Sequence, residues 1–257
     1  MRAVKGAEVG CDEIREAGPL DGRIAVVTGA SSGIGRAIGV ALSREGALLY
    51  AVGRNHEALT ETVSAARQFS QASAFEIDLT VEENLQPLLR RLEEARKLDI
   101  LIHCAGVIHT DRMESARIED LDSQYATNVR APYLLTQRLL PLLTAARGQI
   151  VFINSSVGLT AKQAELGQYG ASKHALKAIA DSLREELNPK GVRVLSVYPG
   201  RTATPMQEAL CRQEGNVYHP ELLLQPEDVA SVVVQMLMLP PTAEVTEISM
   251  RPMQKSY

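Results

Sequence analysis

From Gly22 onward the chain alternates short runs of apolar, largely β-branched residues with longer amphipathic stretches, and this alternation limits its possible folds more than any other feature. The runs read "RIAVVTG", "LLYAVG", "AFEID", "DILIHC", "QIVFIN", "VRVLSVYPG" and "EVTEISM". Each has strand length, and the stretches between them have helix length. Parallel strands need crossover connections, so strands separated by helices predict a doubly wound α/β fold with a parallel sheet covered on both faces. Ligands of such sheets bind beyond the carboxyl ends of the strands, so functional residues are expected just after strands.

The chain is long enough for a sizeable core, with 257 residues of which 45% are hydrophobic, and no repeat, low-complexity tract or Pro/Ser-rich linker divides it. One domain is expected over residues 21–257. Residues 1–20 carry acidic residues, Gly and Pro but no apolar h-region, so they read as a flexible extension and not as a secretory signal. The net charge, 27 − 31 = −4, is interspersed, and no apolar run approaches the length of a membrane span. Neither nucleic acid nor a membrane is therefore an expected partner. Cys11, Cys104 and Cys211 are far apart and odd in number, which indicates no disulfide framework and suits a reducing, cytoplasmic compartment. His103, His109, His174 and His219 lack a partner at metal-ligand spacing, so no metal is expected.

The segment "VVTGASSGIG" places Gly29, Gly33 and Gly35 between the first strand and its helix. Missing side chains there permit a tight turn and let backbone N–H groups approach an anion, which the positive end of the helix favours. A plain glycine-rich connection would look the same in isolation. Position after a strand favours a pyrophosphate site.

A second segment, "QYGASKHALKAIADSLREEL", carries an apolar stripe of Leu176, Ile179, Leu183 and Leu187, and at its start Tyr169 and Lys173 stand four residues apart. That spacing puts phenol and ammonium side by side on one helix face. Read alone, the pair fits either chemistry or an ordinary helix start.

Together, TGxxxGxG after the first strand, the YxxxK helix and the "NSS" turn after the fifth strand resemble the short-chain dehydrogenase/reductase family in its single-domain branch, over nearly all of Gly22 to Met250. The resemblance implies a Rossmann-like sheet of seven strands, an NAD(H) or NADP(H) cofactor, and interconversion of alcohols and carbonyls. By position it makes Tyr169 the acid/base and Lys173 its partner, which also holds the nicotinamide ribose, so both residues are expected to touch the cofactor. A cation about 4–5 Å from a phenol, at an effective dielectric of ~20, favours phenolate by roughly 3–4 kcal/mol, so a lowered tyrosine pKa is expected. Asn128, in "YATNVRAPYLL", matches the asparagine that supports the proton relay behind the lysine. The serine is ambiguous. Counting along the strand from Gly148 selects Ser155, whereas counting back from Tyr169 selects Ser156; strand register is pinned by buried alternation, which favours Ser155.

The resemblance also implies cofactor contacts from Gly29, Ser31, Ser32, Gly33, Ile34 and Gly35 in the first loop and from Asp78 and Leu79 after the third strand. In "HCAG", Ala105 and Gly106 keep the close approach, while Cys104 stands where an asparagine is usual and cannot reproduce its hydrogen bonds. In "YPGRTATPM", Pro199 and Gly200 form the turn beside the nicotinamide, Thr202 reaches the diphosphate and Thr204 the carboxamide. Just after the second strand stand Arg54 and Asn55, with no acid before Glu57, and an arginine there attracts a 2′-phosphate, so NADP(H) is the expected cofactor. Residues 205–224 have mixed polarity and suit a substrate lid, where Met206, Leu210 and Leu222 to Leu224 hint at a fairly apolar carbonyl or alcohol substrate. Family members usually pair through two central helices, so a homodimer or homotetramer is expected. A rival reading is a catalytically silent, dinucleotide-binding regulatory protein of the same fold. A sugar-nucleotide epimerase would need a large C-terminal substrate domain that is absent here.

Overall fold

The computed structural model describes residues 18–254. All seven expected strands form, and they pair in parallel into one sheet: β1 (Ile24–Thr28), β2 (Leu48–Gly53), β3 (Ala72–Glu76), β4 (Ile100–His103), β5 (Gln149–Ile153), β6 (Arg193–Pro199) and β7 (Glu247–Met250). Their order across the sheet is β3-β2-β1-β4-β5-β6-β7. The winding reverses between β1 and β4, so the crevice expected to hold ligand opens there.

Helices cover both faces: α1 (Gly33–Arg44), α2 (His56–Ala66), α3 (Gln86–Ala95), α4 (Ile118–Tyr125), α5 (Ala131–Ala146), α6 (Gly167–Leu187), α7 (Pro205–Gln213) and α8 (Pro226–Leu237). Strand alternation sends successive side chains into two cores. Val27, Ile102, Val151 and Val197 join Ile38 and Leu42 of α1 and Val229 and Val233 of α8, while Val26, Leu101, Phe152 and Val194 join Leu88 of α3, Leu139 of α5 and Leu176 of α6. Burial on both faces is why the central strands read as nearly continuous apolar runs.

Local chemistry sets the helix starts. The Asn55 side chain accepts from the Ala58 N–H to cap α2, and Gln225 and Asp228 form a reciprocal capping box ahead of α8, with Pro226 in its first turn. The buried face of α6 is rotated from the expected stripe. Ala180 and Arg184 are buried, whereas Ile179 and Leu183 are half-buried. Arg184 reaches inward because it donates to the carbonyls of Val194 and Thr246 at 2.9 and 3.1 Å, fastening the helix beside β6.

The expected flexible extension lies outside the described residues as far as residue 17. At its end Leu20 is buried, and its N–H donates to the carbonyl of Glu45 at 2.9 Å. No helix among the described residues is long and apolar enough to cross a membrane.

Candidate active site

A cavity of about 900 Å³ runs along the carboxyl ends of the strands, from Arg54 and Asp78 at the β2–β3 end to Gly200 and Thr202 after β6. Its wall at β1 is the glycine loop. Gly29 has φ +66°, and a Cβ there would stand 2.8 Å from the Ala105 backbone; Gly33 has φ +52°, and its Cβ would stand 2.9 Å from Thr204 Cγ2. Both positions thus combine a left-handed backbone with close packing that excludes other residues. Ser32 precedes α1 without a side-chain cap bond, so the first N–H groups of the helix face the cavity unclaimed by that hydroxyl. This cradle fits a dinucleotide pyrophosphate.

Across the reversal, Thr28 takes the bracing part that Cys104 cannot supply. Its Oγ1 accepts from the N–H groups of Cys104 and Ala105 at 3.0 and 3.2 Å and donates to the Ile102 carbonyl at 3.2 Å. Burial pushes the Cys104 thiol up to about 12. His103 is buried, stacked on Phe152 with ring centroids 4.9 Å apart and bonded through Nε2 to Thr136 Oγ1 at 2.8 Å. Desolvation lowers its pKa to about 3, so the ring is neutral.

Tyr169 and Lys173 share one face of the first turns of α6, and both are buried. Lys173 Nζ lies 5.8 Å from the Tyr169 ring centre and donates to the Ile153 carbonyl at 3.3 Å. Burial lowers the lysine to about 8 and raises the tyrosine to about 12, against which hydrogen bonding with Ser155 works in the opposite direction. The lowered tyrosine pKa expected from charge proximity is therefore corrected. Loss of water around the phenol outweighs an ammonium that is itself desolvated and bonded to a carbonyl.

Both serines line the cavity, and Ser155 caps the short turn Ser156–Gly158 by accepting from Val157 N–H at 3.3 Å. Behind them, Asn128 is buried and does not line the cavity. It sits in a π-helical turn, Ala126–Arg130, that joins α4 to α5. Its Oδ1 accepts from Val107 N–H at 2.9 Å, and its Nδ2 donates to the Val107 carbonyl and Ser172 Oγ at 2.9 and 3.1 Å. A widened helical turn at that residue frees its amide to face a loop and another helix.

The remaining expected residues, Ser31, Ile34, Gly35, Asn55, Leu79, Ala105, Gly106, Pro199 and Thr204, also line the cavity. The Asn55 carbonyl oxygen is engaged in capping, and Asp78 Oδ1 accepts from Thr80 N–H and Oγ1 at 2.9 and 2.7 Å, bonds that hold its carboxyl below the usual range. Met206 and Leu210 of α7 line the cavity as expected, but Leu222, Leu223 and Leu224 do not. Leu224 is buried and pairs with Thr202 in an isolated parallel bridge. Thr28 and Asn154, whose Nδ2 donates to the Lys173 carbonyl at 3.1 Å, join the site beyond the residues expected from the sequence. The "NSS" turn was the available signal for Asn154; nothing local distinguishes Thr28.

Residues 23–215 match the short chain dehydrogenase family. An uncharacterized oxidoreductase of Staphylococcus epidermidis is 34% identical over 90% of this chain and 97% of its own length. Among solved structures, a dehydrogenase/reductase from Sinorhizobium meliloti superposes with TM-score 0.79 at 31% identity, over 90% of this chain and 94% of the other. A metagenomic short-chain oxidoreductase in complex with NADP superposes with TM-score 0.79 at 29% identity, over 92% of this chain and 100% of the other. The chain belongs to the short-chain dehydrogenase/reductase family and is an oxidoreductase with an NAD(P)-binding fold.

Proposed function

We propose that this oxidoreductase interconverts a carbonyl compound and its alcohol with NADP(H), using Tyr169, Lys173, Ser155 and Asn128. The observation that carries the reading is the cluster of Tyr169, Lys173 and Ser155 in the wall of a cavity that begins at the glycine cradle. Burying a phenol and an ammonium together is costly, and holding a dinucleotide alone gives no reason for the phenol.

When bound, the dinucleotide supplies or accepts the hydride at nicotinamide C4. Tyr169 gives its hydroxyl proton to the substrate oxygen in reduction and recovers it in oxidation. Ser155 orients that oxygen, and Lys173 sets the charge that the tyrosine meets as its proton leaves. Asn128 holds the Val107 backbone and Ser172, which keeps the first turns of α6 at a fixed height behind the reacting oxygen. Gly29, Ser31, Ser32, Gly33, Ile34 and Gly35, with Thr202, receive the pyrophosphate, Asp78 and Leu79 the adenine, and Cys104, Ala105, Gly106, Pro199, Gly200 and Thr204 the nicotinamide half.

Cofactor choice falls to Arg54, which is exposed at the end of β2 and lines the cavity beside Asp78. Its guanidinium suits a 2′-phosphate, and the solved metagenomic relative carries NADP. Residues 205–224, with α7 at their start, form the substrate lid, and the enzyme assembles as a homodimer or homotetramer. The test is to follow reduced-cofactor absorbance while purified protein meets a panel of aldehydes, ketones and alcohols. Turnover with NADPH on a carbonyl is the expected result; cofactor binding without turnover across the panel would leave only the regulatory reading.

A further inference from the structure

Arg201 lines the cavity directly after the Pro199–Gly200 turn and is half-buried. Among the described residues its side chain makes no hydrogen bond and no ion pair, although its own carbonyl accepts from Leu224 N–H at 3.1 Å. Cations held partly out of water normally take an anionic partner. Glu214 also lines the cavity, but its carboxylate accepts from Asn216 Nδ2 at 3.0 Å and no ion pair joins it to Arg201. The guanidinium is therefore available to something that enters the cavity.

Sheet geometry says which part of the cavity that is. Between β1, whose loop forms the pyrophosphate cradle, and β6, which Arg201 follows, lie β4 and β5. Three strand spacings amount to about 14 Å, and β2, with Arg54 at its end, lies one spacing further, about 19 Å from β6. Thr204, not Arg201, packs onto Gly33. The 2′-phosphate and pyrophosphate sites proposed above are built on β2 and β1, whereas Arg201 lines the cavity on the β6 side, as do Met206 and Leu210 of α7.

We infer that Arg201 anchors a carboxylate on the substrate, so that the enzyme acts on oxo acids and the corresponding hydroxy acids with an apolar segment between the two functional groups. The planar fork of arginine matches the two oxygens of a carboxylate. The apolar α7 side chains cover the carbon chain, while Ser155 and Tyr169 meet the reacting oxygen. This inference rests on the carbonyl-reduction reading above and deepens it.

The full chain is tested with 4-oxopentanoate and its methyl ester as paired probes, using NADPH. Arg201→Met is expected to lower the ratio of kcat/KM for acid over ester by ten- to a hundredfold, chiefly through KM of the acid, while the value for the ester moves far less. An unchanged ratio, or an unmutated protein that reduces the ester but not the acid, overturns the anchor and leaves the oxidoreductase reading standing. Calorimetric titration of pentanoate and pentanamide into protein saturated with NADP+ supplies a readout that needs no turnover. Pentanoate should bind at least tenfold more tightly than the amide, and Arg201→Met should abolish the difference; equal affinities overturn the proposal. A tenfold loss of NADP+ affinity in Arg201→Met overturns it too, because the arginine would then serve the cofactor. Selective pentanoate binding without reduction of either probe would support the anchor and count against carbonyl reduction.

Discussion

Lys173 Nζ stands 5.8 Å from the centre of the Tyr169 ring, and the two groups are buried against each other's interest. Desolvation disfavours the charged form of each, so it moves the lysine down and the tyrosine up. Burying the two groups together therefore costs stability locally.

Lys173→Met is expected to stabilise the fold at neutral pH while removing activity. The unfolded lysine keeps its proton up to about 10.5, whereas the folded one loses it near 8. Below pH 8 the native protein carries the full desolvation cost, and that cost disappears as pH rises from 8 to 10.5. The variant should therefore gain up to about 3 kcal/mol at pH 7, with the gain shrinking toward pH 10. Urea denaturation at the two pH values checks both size and sign.

Tyr169→Phe removes only the hydroxyl from a buried ring. Folding and cofactor affinity should change little, while turnover falls by at least ~10²-fold. Steady-state rates beside a cofactor titration would expose any other outcome; near-normal turnover would exclude Tyr169 as acid/base.

Ser155→Ala should cripple turnover and Ser156→Ala should be mild, because strand register selects Ser155 and its hydroxyl draws the Tyr169 pKa down against burial. The opposite ranking of the two rates would favour the spacing from Tyr169 over strand register.

Arg54→Ala should erase most of the preference for NADP(H). A charge-assisted contact of ~1.5–3 kcal/mol corresponds to roughly a ten- to hundredfold difference in kcat/KM between the two cofactors. Equal efficiency with NAD(H) in the unmutated protein would remove the basis for this role.

His103 supplies a prediction on the acid side. Its folded pKa, about 3, lies below the ordinary value of 6.5, so the unfolded chain binds a proton that the native protein refuses. Stability from this group is present above pH 6.5 and falls as the pH drops toward 3, by about 2 kcal/mol at pH 5. His103→Asn should flatten that loss in denaturation curves recorded at pH 7.5 and 5.

The alternation of apolar runs and amphipathic stretches by itself determined the sheet, since period and run length are written along the chain and the central runs are buried on both faces. The glycine loop, the Tyr169–Lys173 pair and Arg54 were legible for a similar reason: each depends on spacing within a few residues or on position after a strand. Tertiary structure decided what depends on partners distant in sequence and on water. Asn128 is buried because Val107 and Ser172 satisfy its amide from another loop and another helix. Thr28 braces Cys104 and Ala105 from 76 and 77 residues away, and no local pattern announces such a contact. The charge state of Tyr169 turned on the same distinction. Spacing put a cation beside the phenol, but packing removed the water around both, and desolvation outweighed proximity.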